Sequence, residues 1–487
     1  MFDSTARVAA PRRAYVPRTP DMDAQTAMKA HARAAWARGN GAANFSEQGL
    51  GKSKAAIDLA GEGWSAGGVA AVLVVSINGV HRQWAEEQIP EHLGADVPRR
   101  VTAWAGRPPA ADWLRPGAEL HFFCASYDCL STKHGEKTVE AFLKRYAPGG
   151  VMLVADESHF VKNPRALRAR ALMRLRGRAR RVLLLTGTPI SRRLEDEWAQ
   201  LRLIHPMPLG HSTLTGFRAE YCVMGGYEGK QIVGHRNEAR FRELTAPLVF
   251  RGTKGQWLDL PPKLYRRWAF DLAPETRRAY DALKRDFLVK MEGTHFTVAN
   301  AAALIVRLQQ LSRGELVGEE GAAREMPDTA LPELLRRLET LPEGEPVLVW
   351  ARFRRDVRRI AAALDEEGRA DFIDGSVPAE YRPHIARHWL DGKAQYLVAN
   401  PAAAGTGLNL QGRCNHVVYY SCGWDSIQRQ QSEDRTHRIG TRGAVTYYDM
   451  VARGTVDEAV LERLRENQDL AALALGDVRR VILGERM

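Results

Sequence analysis

The stretch "SEQGLGKSKAAIDLA", residues 46–60, decides how the chain is read. A turn carrying Gly49 and Gly51 runs directly into Lys52, Ser53 and a segment of helical spacing. Glycines in such a turn let backbone N–H groups face a phosphate. The lysine then reaches the β and γ groups, and the hydroxyl ligates Mg²⁺. Ser46 stands where the GxxxxGK(S/T) pattern has its first glycine. Taken alone, therefore, the match leaves open a chance loop before a helix.

Downstream, the apolar run "VMLVA" at 151–155 ends in "DESH". This places Asp156 and Glu157 at the C-terminal edge of a strand, where open parallel sheets bind ligands. Asp156 is expected to join Ser53 around Mg²⁺, and Glu157 to orient and deprotonate the attacking water. An isolated DE pair there is otherwise a solvated turn. "LLLTGTPI" at 183–190 ends a further strand with Thr186 and Thr188 around Gly187, a weaker signal, since such a turn is also ordinary strand punctuation.

Further short apolar runs, "AVLVVS" at 71 and "ELHFFCAS" at 119, complete a first series. A second series holds "PVLVWA" at 346, "ADFIDG" at 370, "QYLVAN" at 395, "NHVVYY" at 415 and "AVTYYDM" at 444. Buried parallel strands alternating with helices read this way, giving two doubly wound α/β lobes. The expected division is an N-terminal disordered or loosely docked arm at 1–20 and a first lobe at 21–255. A junction with a helical insertion follows at 256–345, then a second lobe at 346–470 and a tail at 471–487. The junction lies near Pro261 and Pro262, and the acidic 314–330 segment reads as a surface insertion.

A length of 487 residues exceeds one ordinary domain, and a formal charge of +12 favours an anionic partner, nucleic acid first. The five cysteines include no CxxC pair, so neither a disulfide framework nor a zinc knuckle is indicated. No apolar h-region or long apolar run is present, so a cytosolic, non-membrane protein is expected.

These motifs together resemble the Swi/Snf-type branch of helicase superfamily two, the DEAD/DEAH-like ATPases, in its compact phage or bacterial form. The resemblance rests on "EQGLGKS", "VVSINGVHRQW", "FFCASYDCL", "VADESHFVKNP", "LLLTGTPI", "VLVWARFRRDV", "AAGTGLNL" and "QQSEDRTHRIG" in that order. It implies two RecA-like lobes of P-loop NTPase fold that use ATP and Mg²⁺. It also implies that Gln25 reads adenine, and that Gly49, Gly51, Lys52, Ser53, His159, Thr186, Thr188 and Gly407 line the nucleotide site. Departures are Arg192 and Arg193 where amides are common, Asp425 and Ser426 in place of Asn-Pro, and Thr441 in place of a closing Gln.

Arg435 and Arg438, three positions apart, are expected on one face of a helix. The resemblance makes them arginine fingers for the γ-phosphate, with Gln431 one turn earlier sensing the nucleotide or the water. An RxxR in an acidic helix is otherwise a surface ion-pair ladder. Lys162, Arg352, Thr406 and Asn409 are DNA-contact candidates by position in the resemblance. The segment 162–181 carries nine basic residues and no acidic one. It reads equally as a phosphate-binding face or as a solvated helix face over an apolar stripe of Leu167, Ala171, Leu172 and Leu175. Trp84 and Trp198 read as core anchors.

The expected activity is ATP-driven movement along double-stranded DNA, with forked or single-stranded DNA as further partners. Two rivals are a strand-separating DNA or RNA helicase and a nucleotide-gated DNA-binding module without productive hydrolysis.

Overall fold

A computed structural model describes residues 14–465 apart from 108, 110–111, 116, 188–193, 226–230, 293–297, 319–321, 366–367, 379, 405–407 and 409. The chain divides into two compact units between Asp259 and Leu260, just ahead of the Pro261–Pro262 pair.

Lobe one is built on β1 (Ala42–Asn44), β2 (Ala71–Ser76), β3 (Arg99–Ala103), β4 (Leu120–Ser126), β5 (Val151–Ala155) and β6 (Arg181–Leu185). A hairpin of β7 (Cys222–Gly225) and β8 (Gln231–His235) follows, and then β9 (Val249–Phe250). The main sheet runs β3-β4-β2-β5-β6-β1-β9 with every pair parallel.

Its strands are apolar at consecutive positions because both faces are covered. Leu73, Val75, Phe123, Leu153 and Leu184 enter one core, while Val72, Val74, Phe122, Met152 and Leu183 enter another on the opposite face. Helix α1 (Asp23–Ala37) and helix α2 (Lys52–Ser65) pack on the second face through Ala32, Ala35, Ile57 and Leu59.

Lobe two has β10 (Lys263–Phe270), an antiparallel hairpin of β11 (Glu315–Val317) and β12 (Ala323–Glu325), β13 (Val347–Trp350), β14 (Ala370–Ile373), β15 (Tyr396–Ala399), β16 (His416–Tyr419) and β17 (Val445–Ala452). Its main sheet, β10-β17-β16-β13-β15-β14, is again wholly parallel. Val349, Val398 and Val418 face one core, and Leu348, Leu397 and Val417 the other. Two doubly wound parallel lobes are therefore present.

Three features differ from the expectations. The first is that residues 14–20, expected within a disordered or loosely docked arm, are hydrogen-bonded to lobe one. Tyr15 donates to Asp58 Oδ1 at 2.7 Å, and Arg18 Nη1 to the Pro90 carbonyl at 2.7 Å. The buried Lys29, Lys54 and Asp58, with the exposed Asp21 paired to both lysines, supply the charges beside them.

The second is β10, which lies inside the expected helical junction. It pairs with β17 along all eight of its residues. Its first half is mostly exposed at the sheet edge, so Arg266 and Arg267 stay solvated and mask the strand pattern.

The third concerns 162–181, where Ala171, Leu172 and Leu175 are buried but Leu167 is 58 % exposed. Several of the cations there are already partnered. Arg174 grips Glu136, Arg178 grips Glu140, and Arg168 and Arg176 donate to backbone carbonyls.

Candidate active site

The glycine loop takes the shape its sequence asks for. Gly49 (φ 87°) and Gly51 (φ 75°) are left-handed, and Gly51 caps the start of α2. The N–H groups of that first turn point along the positive end of the helix dipole, which suits an anion. Ser46, fully buried, donates its hydroxyl to Asn44 Oδ1 at 2.5 Å and so replaces conformational freedom with a hydrogen bond. Lys52 Nζ donates to the carbonyls of Ser46 (2.8 Å) and Glu47 (2.9 Å), which curls the loop around it.

Gln25 reaches the loop as well, with Nε2 3.4 Å from the Gly51 carbonyl. A Cβ on Gly51 would lie 1.9 Å from that nitrogen and would have to be held at φ 75°, so the position favours glycine. Gly187 is equally confined, since a Cβ there would lie 2.1 Å from Gln48 Cγ and 3.0 Å from Lys52 Nζ.

The two carboxylates at the end of β5 have different surroundings. Asp156 Oδ2 accepts from Trp84 Nε1 (2.8 Å) and Ser76 Oγ (3.0 Å), while Oδ1 accepts the Glu157 amide at 3.0 Å. Glu157 adopts φ 48°, a left-handed conformation that costs a non-glycine residue about 1–2 kcal/mol and is characteristic of functional turns. Its Oε1 accepts from Gln48 Nε2 at 3.4 Å, and its Oε2 from Thr186 Oγ1 at 3.3 Å. His159 Nδ1 lies 3.3 Å from the same Oε2 and 3.1 Å from Thr186 Oγ1.

Burial, followed by the charge of Glu157, pushes the Asp156 carboxyl up to about 6, against the pull of its Trp84 and Ser76 donors. Burial opposes ionisation of Glu157 too, but His159, Lys52 and Thr186 outweigh it and hold that carboxyl below its usual range. The hard oxygen donors, Ser53 on the first turn of α2 and the braced Asp156, suit Mg²⁺.

In lobe two the expected RxxR helix is corrected. The helix Ser426–Glu433 ends before either arginine, and residues 434–440 are turns. The ladder tightens at this point, where the Arg435 amide donates three residues back to the Ser432 carbonyl at 3.3 Å, and side chains join backbone donors at the Glu433 carbonyl. Tyr447 OH reaches it at 3.1 Å, Thr436 Oγ1 at 3.1 Å, and the Thr436 and His437 amides at 3.1 and 3.0 Å.

Arg435 Nη1 donates to the Leu408 carbonyl at 3.3 Å, and Arg438 is half-buried with its amide on Thr441 Oγ1 at 3.0 Å. Thr441, one of the departures, thus braces the turn. Asp425, another, caps the helix through the Ile427 and Gln428 amides. Gln431 sits half-buried on the last turn of that helix.

Arg352 is turned into its own lobe, donating to Gln309 Oε1 at 2.6 Å with its guanidinium 4.1 Å from the centre of the Trp424 ring. Lys162, partly exposed, lies 3.4 Å from Asp196. Thr188, Thr406, Gly407 and Asn409 lie outside the described residues.

The sequence reading missed Gln48, Ser76 and the polar role of Trp84. The signal for Trp84 was its place in "VVSINGVHRQW", directly after the strand neighbouring β5.

A model of the SNF2-related domain matches residues 25–315, more than half of the chain. The chain belongs to the SNF2-related family of helicase-like ATPases. The helicase conserved C-terminal domain matches residues 329–440 of this SNF2-related protein. Among curated relatives, the mouse (Mus musculus) "DNA annealing helicase and endonuclease ZRANB3" is 27 % identical, covering 66 % of this chain and 30 % of that protein. The "Putative ATP-dependent helicase/translocase YwqA" of Bacillus subtilis is 28 % identical over 65 % of this chain and 34 % of its own length. "Putative protein p41" of Acyrthosiphon pisum secondary endosymbiont phage 1 is 25 % identical, covering 67 % and 72 %. The chain thus spans about a third of the length of the first two relatives and most of the phage protein. The Sulfolobus solfataricus SWI2/SNF2 ATPase core, solved with double-stranded DNA, aligns over 98 % of this chain and all of that one, at 18 % identity and a TM-score of 0.43. No helix among the described residues is long and apolar enough to cross a membrane.

Proposed function

We propose that this SNF2-related chain hydrolyses ATP and couples each turnover to movement along duplex DNA. The observation that carries the chemistry is the link from Gln48, inside the phosphate loop, to Glu157 at the end of β5. It ties the carboxylate suited to activating water to the loop suited to holding phosphate. In this reading the α2 N-terminus and Lys52 bind the β and γ phosphates, with Lys52 exchanging its loop carbonyls for phosphate oxygens. Gln25 contacts the base. Glu157, kept ionised by His159 and Thr186, accepts a proton from the attacking water. Ser53 and Asp156 would hold Mg²⁺, which would supply charge neutralisation at the phosphates. Arg435 and Arg438 supply cationic charge to the reacting phosphoryl group, where a planar guanidinium stabilises the transition state more than the ground state.

A net charge of +12 and the DNA-directed names of the relatives support DNA as the track. A triplex-displacement assay on blunt duplex, run beside strand separation on a fork, tests the movement. ATP-dependent release of the third strand with the fork left paired is expected. Fork opening without triplex release would assign a strand-separating helicase instead, and no ATP-dependent change in either would assign a binding module.

A further inference from the structure

Away from the nucleotide site, three side chains from three elements converge in lobe one. Cys222 opens β7 and His235 closes β8, and the two are directly opposed in the antiparallel pair, so their side chains share a face. Glu195, on the helix Leu194–Leu201, meets them there, with Oε2 3.0 Å from His235 Nε2. One ligand atom from each residue lies within 4.8 Å of the other two. Cys222 is 3 % exposed and Glu195 8 %. The three are scattered along the sequence without any CxxC or HxxxH spacing, which is why cysteine counting does not find them.

We infer that Glu195, Cys222 and His235 bind a Zn²⁺ ion that clips the β7–β8 hairpin to the helix Leu194–Leu201. A thiolate, an imidazole and a carboxylate form the mixed donor set that zinc accepts, whereas Mg²⁺ and Ca²⁺ take oxygen alone. Two anionic donors balance the divalent ion, so the filled centre is neutral in a mostly buried position. Tetrahedral zinc with bonds of about 2.0–2.3 Å sets its donors about 3.3–3.7 Å apart. The Glu195–His235 pair, at 3.0 Å, opens by about 0.3 Å to meet that span, and the third donor closes by about 1 Å at most, both within the reach of a side-chain adjustment. Water takes the fourth position, and the Cys222 thiol gives its proton to solvent as the metal binds.

The hairpin has reason to need the clip. Its strands are short, a bulge interrupts them between Val223 and Met224, and Val223, Met224 and Val233 are exposed. Two short strands of this kind are marginal without an anchor.

The test is metal analysis of the full chain, grown with added zinc and dialysed against metal-free buffer, followed by replacement with Co²⁺. Bound zinc equimolar with protein is expected. The cobalt form should show a near-ultraviolet thiolate-to-metal charge-transfer band and strong tetrahedral visible bands. Cys222→Ser should lose the charge-transfer band. Glu195→Gln, nearly isosteric, should keep that band while binding at least tenfold more weakly in competition with a chromophoric chelator, which keeps the test open if Cys222→Ser fails to fold. Absence of stoichiometric zinc, or a cobalt spectrum without the thiolate band, would overturn the site. So would a thiolate band unchanged in Cys222→Ser, or unweakened binding in Glu195→Gln. The cluster would then be a Glu195–His235 ion pair beside a buried thiol.

Discussion

The polar residues of lobe one's site are tied to one another, whereas those of lobe two's "QQSEDRTHRIG" stretch are tied to the scaffold. Gln48, Thr186 and His159 converge on Glu157, and Trp84 and Ser76 converge on Asp156. In lobe two a network of short bonds lies on residues near the arginines. Arg429 bridges Glu433 (2.7 Å) and Asp449 (2.6 Å), and Glu433 also accepts from Lys263 (3.0 Å) and Tyr265 (2.8 Å). Lobe one therefore holds its reactive carboxylates in a fixed geometry of their own making. Lobe two fixes the base of the turn that carries Arg435 and Arg438. Preorganisation of the first kind lowers the cost of reaching the transition state, and a braced turn suits the proposed contact made only during reaction.

The largest effect is expected at Glu157. Glu157→Gln keeps the shape and removes the base, so turnover should fall by roughly 10³-fold, in the middle of the range for general-base loss. Binding of a fluorescent ATP analogue should persist; loss of both together would make Glu157 a structural residue.

Arg435→Ala and Arg438→Ala come next, each expected to reduce DNA-stimulated turnover by at least about 10²-fold. Arg→Lys should fail to rescue, because an ammonium lacks the planar fork. A correctly folded Arg438→Ala chain at parental rate would remove that arginine from the chemistry.

Trp84 and Trp198 separate positioning from packing. Both are buried in lobe one, but only Trp84 donates to a catalytic carboxylate, and Trp198 Nε1 has no hydrogen-bond partner among the described residues. Both Trp→Phe variants should lower the melting temperature. Trp84→Phe alone should also slow turnover by roughly 10-fold, since a hydrogen bond to a charged group contributes about 1.5–3 kcal/mol. Equal turnover in the two variants would make Trp84 a core residue only.

The smallest expected effect is on stability, and it has opposite signs in the two lobes. In lobe one, burial and then the Arg100 charge hold His121 down at about 4. The unfolded chain takes up that proton first as pH falls below about 6.5, so lobe one loses up to about 3 kcal/mol by pH 4. In lobe two, burial pushes Asp356 up to about 7 despite Arg313, Arg355 and Arg359. The folded form protonates first there, so lobe two gains stability from this group as pH falls from about 7 towards 4. Urea unfolding followed at pH 7 and pH 5 should show lobe one's transition moving to lower urea relative to lobe two's. A His121→Gln chain should lose lobe one's share of that divergence and keep the share that Asp356 gives lobe two.

The same contrast governs what the sequence could show. The central strands were legible because both faces are buried and their apolar runs are continuous, as in "AVLVVS" and "VMLVA". β10 was not, because at a solvated edge "KLYRRWAF" carries two arginines in the middle of a strand. The phosphate loop and the DE pair were legible because their chemistry depends on local spacing. The end of the helix before Arg435 was not, since the residue pattern does not mark where the backbone tightens to three-residue bonds, as it does at the Arg435 amide. Trp84 was taken for packing because its partner, Asp156, follows β5, 72 residues further along the chain, and a large apolar ring reads first as core.

Phosphate release by the parent chain with Mg-ATP, with blunt duplex DNA added or withheld, tests the central claim most directly. The account predicts slow release without DNA, a rise of about tenfold or more with it, and a stimulated rate falling steeply with salt as phosphate contacts are screened. Equal rates with and without duplex, or no release in either case, would contradict it.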